Sequence, residues 1–287
     1  MGCGSWDTKT FANYVTSSAV TRGYTAKLDS LGNVVTTATN QDMFKNTHIE
    51  HELDPMNVMR ECRDSEEHPN TFPIILGLDV TGSMGQAAVE VAKALNKIMT
   101  NLYDKITDVE FCIMGIGDLY CDCSPIQISQ FESDIRIAEQ LDKVWFEFGG
   151  GGNFSESYTV AWYMGSRHCD LDCWKRGEKG IIITIGDERC NPYLPMNQLQ
   201  KLTGDTLEGD VETKNLYNEA SQKFDIYHIQ INHGREWDID GIKKSWEFIE
   251  DNYYESNMDN IADTIINIIT NHGTQNITAT NTEGISW

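Results

Sequence analysis

Asp79, Thr81 and Ser83 occupy alternate positions in Asp79-Val80-Thr81-Gly82-Ser83, directly after an apolar run. One carboxylate and two hydroxyls so spaced offer only oxygen ligands, the donors that hard cations such as Mg²⁺ take, usually while keeping several waters. A second oxygen-rich stretch follows the four glycines Gly149 to Gly152 and contains Asn153, Ser155 and Glu156. Glycines let a backbone pass close to a bound ion. The same stretch could cradle phosphate at a helix start, but it lacks the Gly-Lys-Ser/Thr ending of a P-loop and no basic residue follows it. The third piece is Gly186-Asp187-Glu188, which brings a second carboxylate. Taken alone, Asp79 to Ser83 also reads as a capped strand-to-helix turn with Ser83 at the N-cap. The three pieces together point to a cation.

For them to meet, the elements before them must end on one edge. Phe72-Pro73-Ile74-Ile75-Leu76-Gly77-Leu78 and Ile181 to Ile185 are continuous apolar runs, the pattern of strands buried on both faces. Val109 to Ile116, a short piece at Ile126 to Ile128, and Phe224 to Ile231 read as further strands. Helical spacing of Val89, Ala92, Leu95, Ile98, Met99 and Leu102 predicts a helix after Ser83. Other helices are expected over Phe131–Leu141, Ser155–His168, Val211–Lys223, Ile242–Trp246 and Met258–Thr270. Strands alternating with helices imply a mostly parallel, doubly wound α/β sheet covered on both faces. In such sheets ligands sit beyond the carboxyl ends of the strands, where the strand order reverses. Residues 1–70 are rich in Thr, Ser, Asn and charge, with a hairpin expected near Leu31-Gly32-Asn33. They read as an extension whose Trp6, Phe11 and Tyr14 pack on a main domain of residues 71–272. Residues 273–287 read as a flexible tail, within an Asn- and Thr-rich stretch that begins at Asn271.

Asp79-x-Thr81-x-Ser83, the glycine loop and Asp187 resemble the metal-ion-dependent adhesion site (MIDAS) of von Willebrand factor A (VWA) domains. That family's pattern is Asp-x-Ser-x-Ser, a Thr on a second loop and an Asp on a third. Thr81 replaces a serine and keeps the hydroxyl. No Thr directly follows the glycines, so Asn153 foremost, or else Ser155 or Glu156, supplies the second-loop ligand. The resemblance covers about Thr71 to Thr270 and implies a Rossmann-like, mainly parallel six-stranded sheet with Ile74 to Asp79 central. It also implies a site for Mg²⁺, or Mn²⁺ or Ca²⁺, with one coordination position open to a partner's Asp or Glu. Inside cells similar domains act as adaptors or assembly components, often beside AAA-type ATPases. More narrowly, three stretches are similar to bacterial and phage-type VWA proteins: Gly4-Ser5-Trp6, the run from Arg60-Glu61-Cys62-Arg63-Asp64 through His68-Pro69, and Gly186-Asp187-Glu188.

Composition narrows the partners. With 44 acidic and 22 basic residues the formal net charge is −22, which repels phosphate backbones and anionic lipid and makes nucleic acid or a membrane surface a poor partner. No apolar run approaches the roughly 18–20 residues of a membrane span, and no basic-then-apolar leader opens the sequence. Trp6 stands where an N-myristoylation signal wants Ser or Thr. Eight cysteines lack disulfide-scaffold spacing and read as reduced thiols in a cytoplasm. Cys121 and Cys123 with His168, Cys169 and Cys173 could bind zinc, though buried structural thiols account for them as well. A metal could also mean hydrolysis of phosphoesters, with His168 or His233 as the base and Asp118, at the end of the second strand, close to the metal, where it could equally orient metal-bound waters. The adaptor reading, a non-enzymatic protein-binding module, needs no such base.

Overall fold

The computed structural model describes residues 4–148, 155–232 and 237–282. Runs that are apolar on both faces can be buried only inside a sheet, and two of them form its middle. The six-stranded sheet comprises β1 (Phe72–Asp79), β2 (Val109–Ile116), β3 (Ile126–Ile128), β4 (Gly180–Gly186), β5 (Phe224–Ile231) and β6 (Tyr253–Ser256). Their order is β6-β5-β4-β1-β2-β3. All neighbours are parallel except the edge strand β3, which runs antiparallel to β2, so the sheet is mixed. From β1 the chain winds outward through β2 to β3. It then returns to β4 on the other side of β1 and winds through β5 to β6. The reversal therefore falls between β1 and β4, where a crevice opens beyond the strand ends.

Side-chain alternation divides the core between the two faces. Ile74, Leu76 and Leu78 of β1 and Ile181, Ile183 and Ile185 of β4 face one side. They meet α2 (Gly85–Tyr103), α3 (Arg136–Lys143) and α6 (Ile261–Thr282) there. Ile75 and Ile182 point to the other side, covered by α4 (Val160–Arg167) and α5 (Thr213–Ala220).

The N-terminal seventy residues contribute to this packing. Helix α1 (Thr8–Arg22) starts with Asp7 accepting from Thr10 N–H at 2.7 Å and ends at Gly23, whose φ of 85° suits glycine. Its Phe11 is buried in the α2-side core. Trp6 Nε1 donates to Asn96 Oδ1 of α2 at 2.9 Å, and the Tyr14 hydroxyl donates to Asp142 Oδ2 of α3 at 2.5 Å. A hairpin of Ala26–Leu28 with Val34–Thr36 turns through Gly32. Arg60–Cys62 pairs in parallel with Cys169–Leu171. Arg63 is tied to Glu61, Asp170 and Asp172, and His68 lies 3.2 Å from Asp108. The Arg60 to Pro69 stretch is thus a clasp at the sheet edge opposite the crevice.

Several boundaries differ from the periodicity reading. Helix α3 begins at Arg136, because Phe111 and Glu132 exchange backbone hydrogen bonds of 2.8 and 2.9 Å that hold residues near 131 against β2. Ser155–Glu156 pairs with Arg189–Cys190, so α4 starts only at Val160. Val211–Glu212 pairs with Tyr193–Leu194 before α5 begins. Met196–Thr203 is a helix that the pattern did not announce. Helix α6 runs to Thr282, well into the stretch read as a tail; residues 283–287 lie outside the described ones.

Candidate functional site

Asp79 is the last residue of β1, and Asp187 directly follows β4. Since β1 and β4 are the pair flanking the reversal, their register sets the two carboxylates side by side at the crevice. Asp79 is 1% exposed. Its Oδ1 accepts from the Thr81 N–H at 2.9 Å and the Thr81 hydroxyl at 2.5 Å. Its Oδ2 accepts from the Tyr158 hydroxyl at 2.8 Å. Thr81 is buried, whereas Ser83 is exposed in the turn before α2. Ser83 is not the helix cap: Met84 takes that position and makes no side-chain capping bond.

The loop after the glycines is fastened to the other two. Tyr158, fully buried, donates to Asp79 and accepts from the Glu188 N–H at 3.2 Å. The Ser157 hydroxyl accepts from the Leu119 N–H at 3.1 Å, just beyond β2. Asn191 holds Thr159 through two bonds of 3.2 and 2.7 Å. Glu156 is buried beside the cluster, while Ser155 is half-buried. Of the seven candidate oxygen residues, Asp79, Thr81, Ser83, Ser155, Glu156 and Asp187 thus lie along this edge, and Asn153 lies outside the described residues. Tyr158 and Asn191 are the site residues that sequence reasoning missed. The one hint, for Tyr158, was an aromatic directly after the oxygen-rich stretch Ser155 to Ser157. Gly186 makes room for Tyr158: a Cβ there would lie 2.1 Å from the tyrosine oxygen.

The electrostatics are those of crowded buried carboxylates. Burial, and then the Asp187 charge, push Asp79 up to about 7. Burial pushes Glu156 up to about 10, with further contributions from Asp79, Asp118, Asp122 and Asp187. The Glu156 Oε2 atom is buried and accepts no hydrogen bond from the described residues. A buried carboxylate oxygen left in this way is costly, and a hard divalent cation is the charge that would offset it. The donors therefore fit Mg²⁺, Mn²⁺ or Ca²⁺, with Asp79, Glu156, Asp187 and the Thr81 and Ser83 hydroxyls available to hold it. Among the described residues, however, no three His, Cys, Asp or Glu side chains converge closely enough to grip an ion as they stand.

The other candidates separate from this edge. His168 caps the far end of α4, with Nδ1 at 3.0 Å from the Val58 carbonyl and Nε2 at 2.7 Å from Asp205. It is a structural residue, because α4 runs away from the crevice and carries it to the opposite edge. His233 lies outside the described residues. Asp118 is buried beyond β2, accepts from the Tyr120 N–H at 3.0 Å, and adds to the field on Glu156. Cys121 and Cys123 are exposed, whereas Cys169 and Cys173 are buried. No grouping of three such ligands forms among the described residues, so the zinc alternative is not assembled. A hydrogen bond to Asp118, then burial, pushes the Cys121 thiol up to about 11, and burial pushes Cys173 up to about 12. Both thiols are protonated at neutral pH.

No family model matches the sequence, and no curated protein matches it. Among solved structures, the chain is similar to the open conformation of the pilus adhesin SpaC from Lactobacillus rhamnosus GG, at 14% identity and a TM-score of 0.49 over 79% of this chain and 33% of that one. It is similar to the vWF domain of the type V pili tip protein Mfa5 from Porphyromonas gingivalis, at 12% identity and a TM-score of 0.42, covering 76% and 97%. It is also similar to the conserved hypothetical protein BatB from Bacteroides thetaiotaomicron, at 12% identity and a TM-score of 0.44, covering 71% and 99%. The chain spans about a third of the adhesin's length. The fold described above rests on this chain's own strand order.

Proposed function

We propose that this chain is a VWA-type protein-interaction module whose crevice binds a divalent cation, Mg²⁺ foremost, and through it a carboxylate of a partner protein. The observation that carries the reading is the placement of Asp79 at the end of β1 and Asp187 just past β4, the two strands flanking the reversal, close enough for their charges to interact, with buried Glu156 in the same field. The cation would supply a Lewis-acidic centre with labile waters, which favours an incoming carboxylate. This chain's residues do the rest. Thr81 and Tyr158 hold Asp79 in one orientation, and Asn191 and Ser157 hold the second loop against the other two. With two or three carboxylates among neutral oxygens, affinity for the ion should be modest.

The partner must tolerate a surface of net charge −22, so a carboxylate set within a basic patch suits it. In keeping with the phage- and bacterial-type resemblance, we place the chain in a cytoplasm as a non-catalytic adaptor or assembly component, with an AAA-type ATPase as one class of partner. Isothermal titration with Mg²⁺ and Mn²⁺ tests the site. Wild type should bind, and Asp79→Ala and Asp187→Ala should lose binding while staying folded, because β1 and β4 are held by apolar packing. Equal binding by both variants refutes the assignment. Capture of a partner from native lysate that is insensitive to chelator would refute the cation-dependent mode while leaving the site.

A further inference from the structure

We infer that the N-terminal segment is coupled to the cation site through a row of tilted aromatic contacts, Phe44–Phe146–Phe148, and that Phe148 is a positioning residue for that site. The inference rests on the cation-binding reading above. Residues 39–46 form a hook: Thr39 and Asp42 cap a helical turn reciprocally, and Asn46 Nδ2 donates to the Lys143 carbonyl at 2.7 Å and the Asp142 carbonyl at 3.3 Å. Phe44, buried, meets Phe146 at 4.2 Å between ring centroids, and Phe146 meets Phe148 at 6.0 Å. From the other side, Glu147 accepts from the Cys123 and Ser124 N–H groups at 3.1 and 2.7 Å, and the Trp145 N–H and carbonyl are both bonded to Gln127. The segment 144–148 is therefore clamped between the hook on one side and β3 with the connection before it on the other.

Its last residue sits where the clamp has a consequence. Phe148 has φ 49°, a left-handed conformation that a bulky side chain adopts at an energetic cost. Such a residue persists only where its surroundings over-determine it, and such residues cluster at functional sites. Here its ring lies over Gly85, the first residue of α2, two positions beyond Ser83. A Cβ on Gly85 would stand 2.7 Å from the Phe148 ring. The ring thus covers the first residue of α2, two positions past Ser83, and the left-handed backbone at Phe148 holds it there. Displacing the hook would release both, so a partner or modification acting on residues 39–46 would lower cation affinity without touching a ligand.

The test uses the full chain and Mn²⁺ alone as the probe, with thermal melting as the check on folding. Gly85→Ala adds a methyl group that favours a helix yet evicts the Phe148 ring. It should weaken Mn²⁺ binding about tenfold or more while the protein stays folded. Phe148→Ala should do the same, Phe148→Leu less, and Gly85→Ala in the Phe148→Ala background should add little, because the two act on one contact. Phe44→Ala should weaken binding from the far end of the row, with partial recovery in Phe44→Leu. If Gly85→Ala and Phe148→Ala titrate like wild type while Asp79→Ala does not bind, the coupling is wrong and the cation site stands. If Asp79→Ala also titrates like wild type, or wild type takes no Mn²⁺, the cation reading itself is wrong and the coupling goes with it.

Discussion

Single residues in this chain carry costs that only their surroundings explain. Gly186 and Tyr158 form one unit: the missing Cβ admits the ring, whose hydroxyl then satisfies an oxygen of buried Asp79. Tyr158→Phe should cost at least about 1–3 kcal/mol, since it removes the bond to buried Asp79 Oδ2 and the one from the Glu188 N–H. Gly186→Ala should cost more, since it expels the whole side chain, and comparative urea melts rank the two. Equal or negligible losses would mean that the ring repacks without strain. Glu110 makes a pH prediction away from the site. It is fully buried on β2 with Oε2 unbonded, and burial lifts its carboxyl from near 4.5 to about 7, with the Cys62 thiol, His68 and Glu132 nearby. The folded state then holds a proton that the unfolded state releases, so this contribution is complete below about pH 4.5 and fades as pH rises through about 7. Glu110→Gln should therefore gain about 1–3 kcal/mol at pH 8 and almost nothing at pH 4.5. The same gain at both values would exclude ionisation as the cause.

At the scale of elements, α1 joins a core that the later chain builds. Phe11 is 2% exposed, meets Trp6 at 5.0 Å between centroids, and packs among residues of α2 and α3. Phe11→Ala should destabilise the whole protein by about 3–5 kcal/mol, seen as one lowered midpoint in denaturant with the transition still cooperative. A separate early transition would instead show that α1 unfolds on its own. The helices misjudged from periodicity share one cause. At residues 131, 155 and 211 the sequence allows either helix or extended chain, and a partner strand elsewhere took the extended option.

For the molecule as a whole, the dominant quantity is the charge of −22. Like charges on a compact body repel, and salt screens them with a Debye length that falls from about 30 Å at 0.01 M to about 8 Å at 0.15 M. Raising NaCl over that range should raise the thermal midpoint by a few degrees at pH 7.5. A fall would show that favourable pairs, such as Arg167–Glu219 and Lys243–Glu255, outweigh the net repulsion. If Mg²⁺ enters the crevice, millimolar amounts should stabilise beyond what equal ionic strength achieves, and Asp79→Ala should remove that excess.

What the sequence determined by itself was set by local chemistry. Apolar runs of strand length announced β1 and β4, and the oxygen-bearing residues at their ends marked the edge where Asp79 and Asp187 meet. Apolar burial and side-chain alternation need no knowledge of neighbours, so they are legible along the chain. Tertiary structure alone decided the remainder. It paired Tyr158 with Asp79 across 79 residues, sent His168 to the opposite edge, and exposed Ser83 instead of making it a cap. It also carried Phe44 to Phe146, about a hundred residues away in the chain. Each of these depends on which distant segments pack together, burying apolar rings and pairing buried polar groups, and no local pattern records that choice.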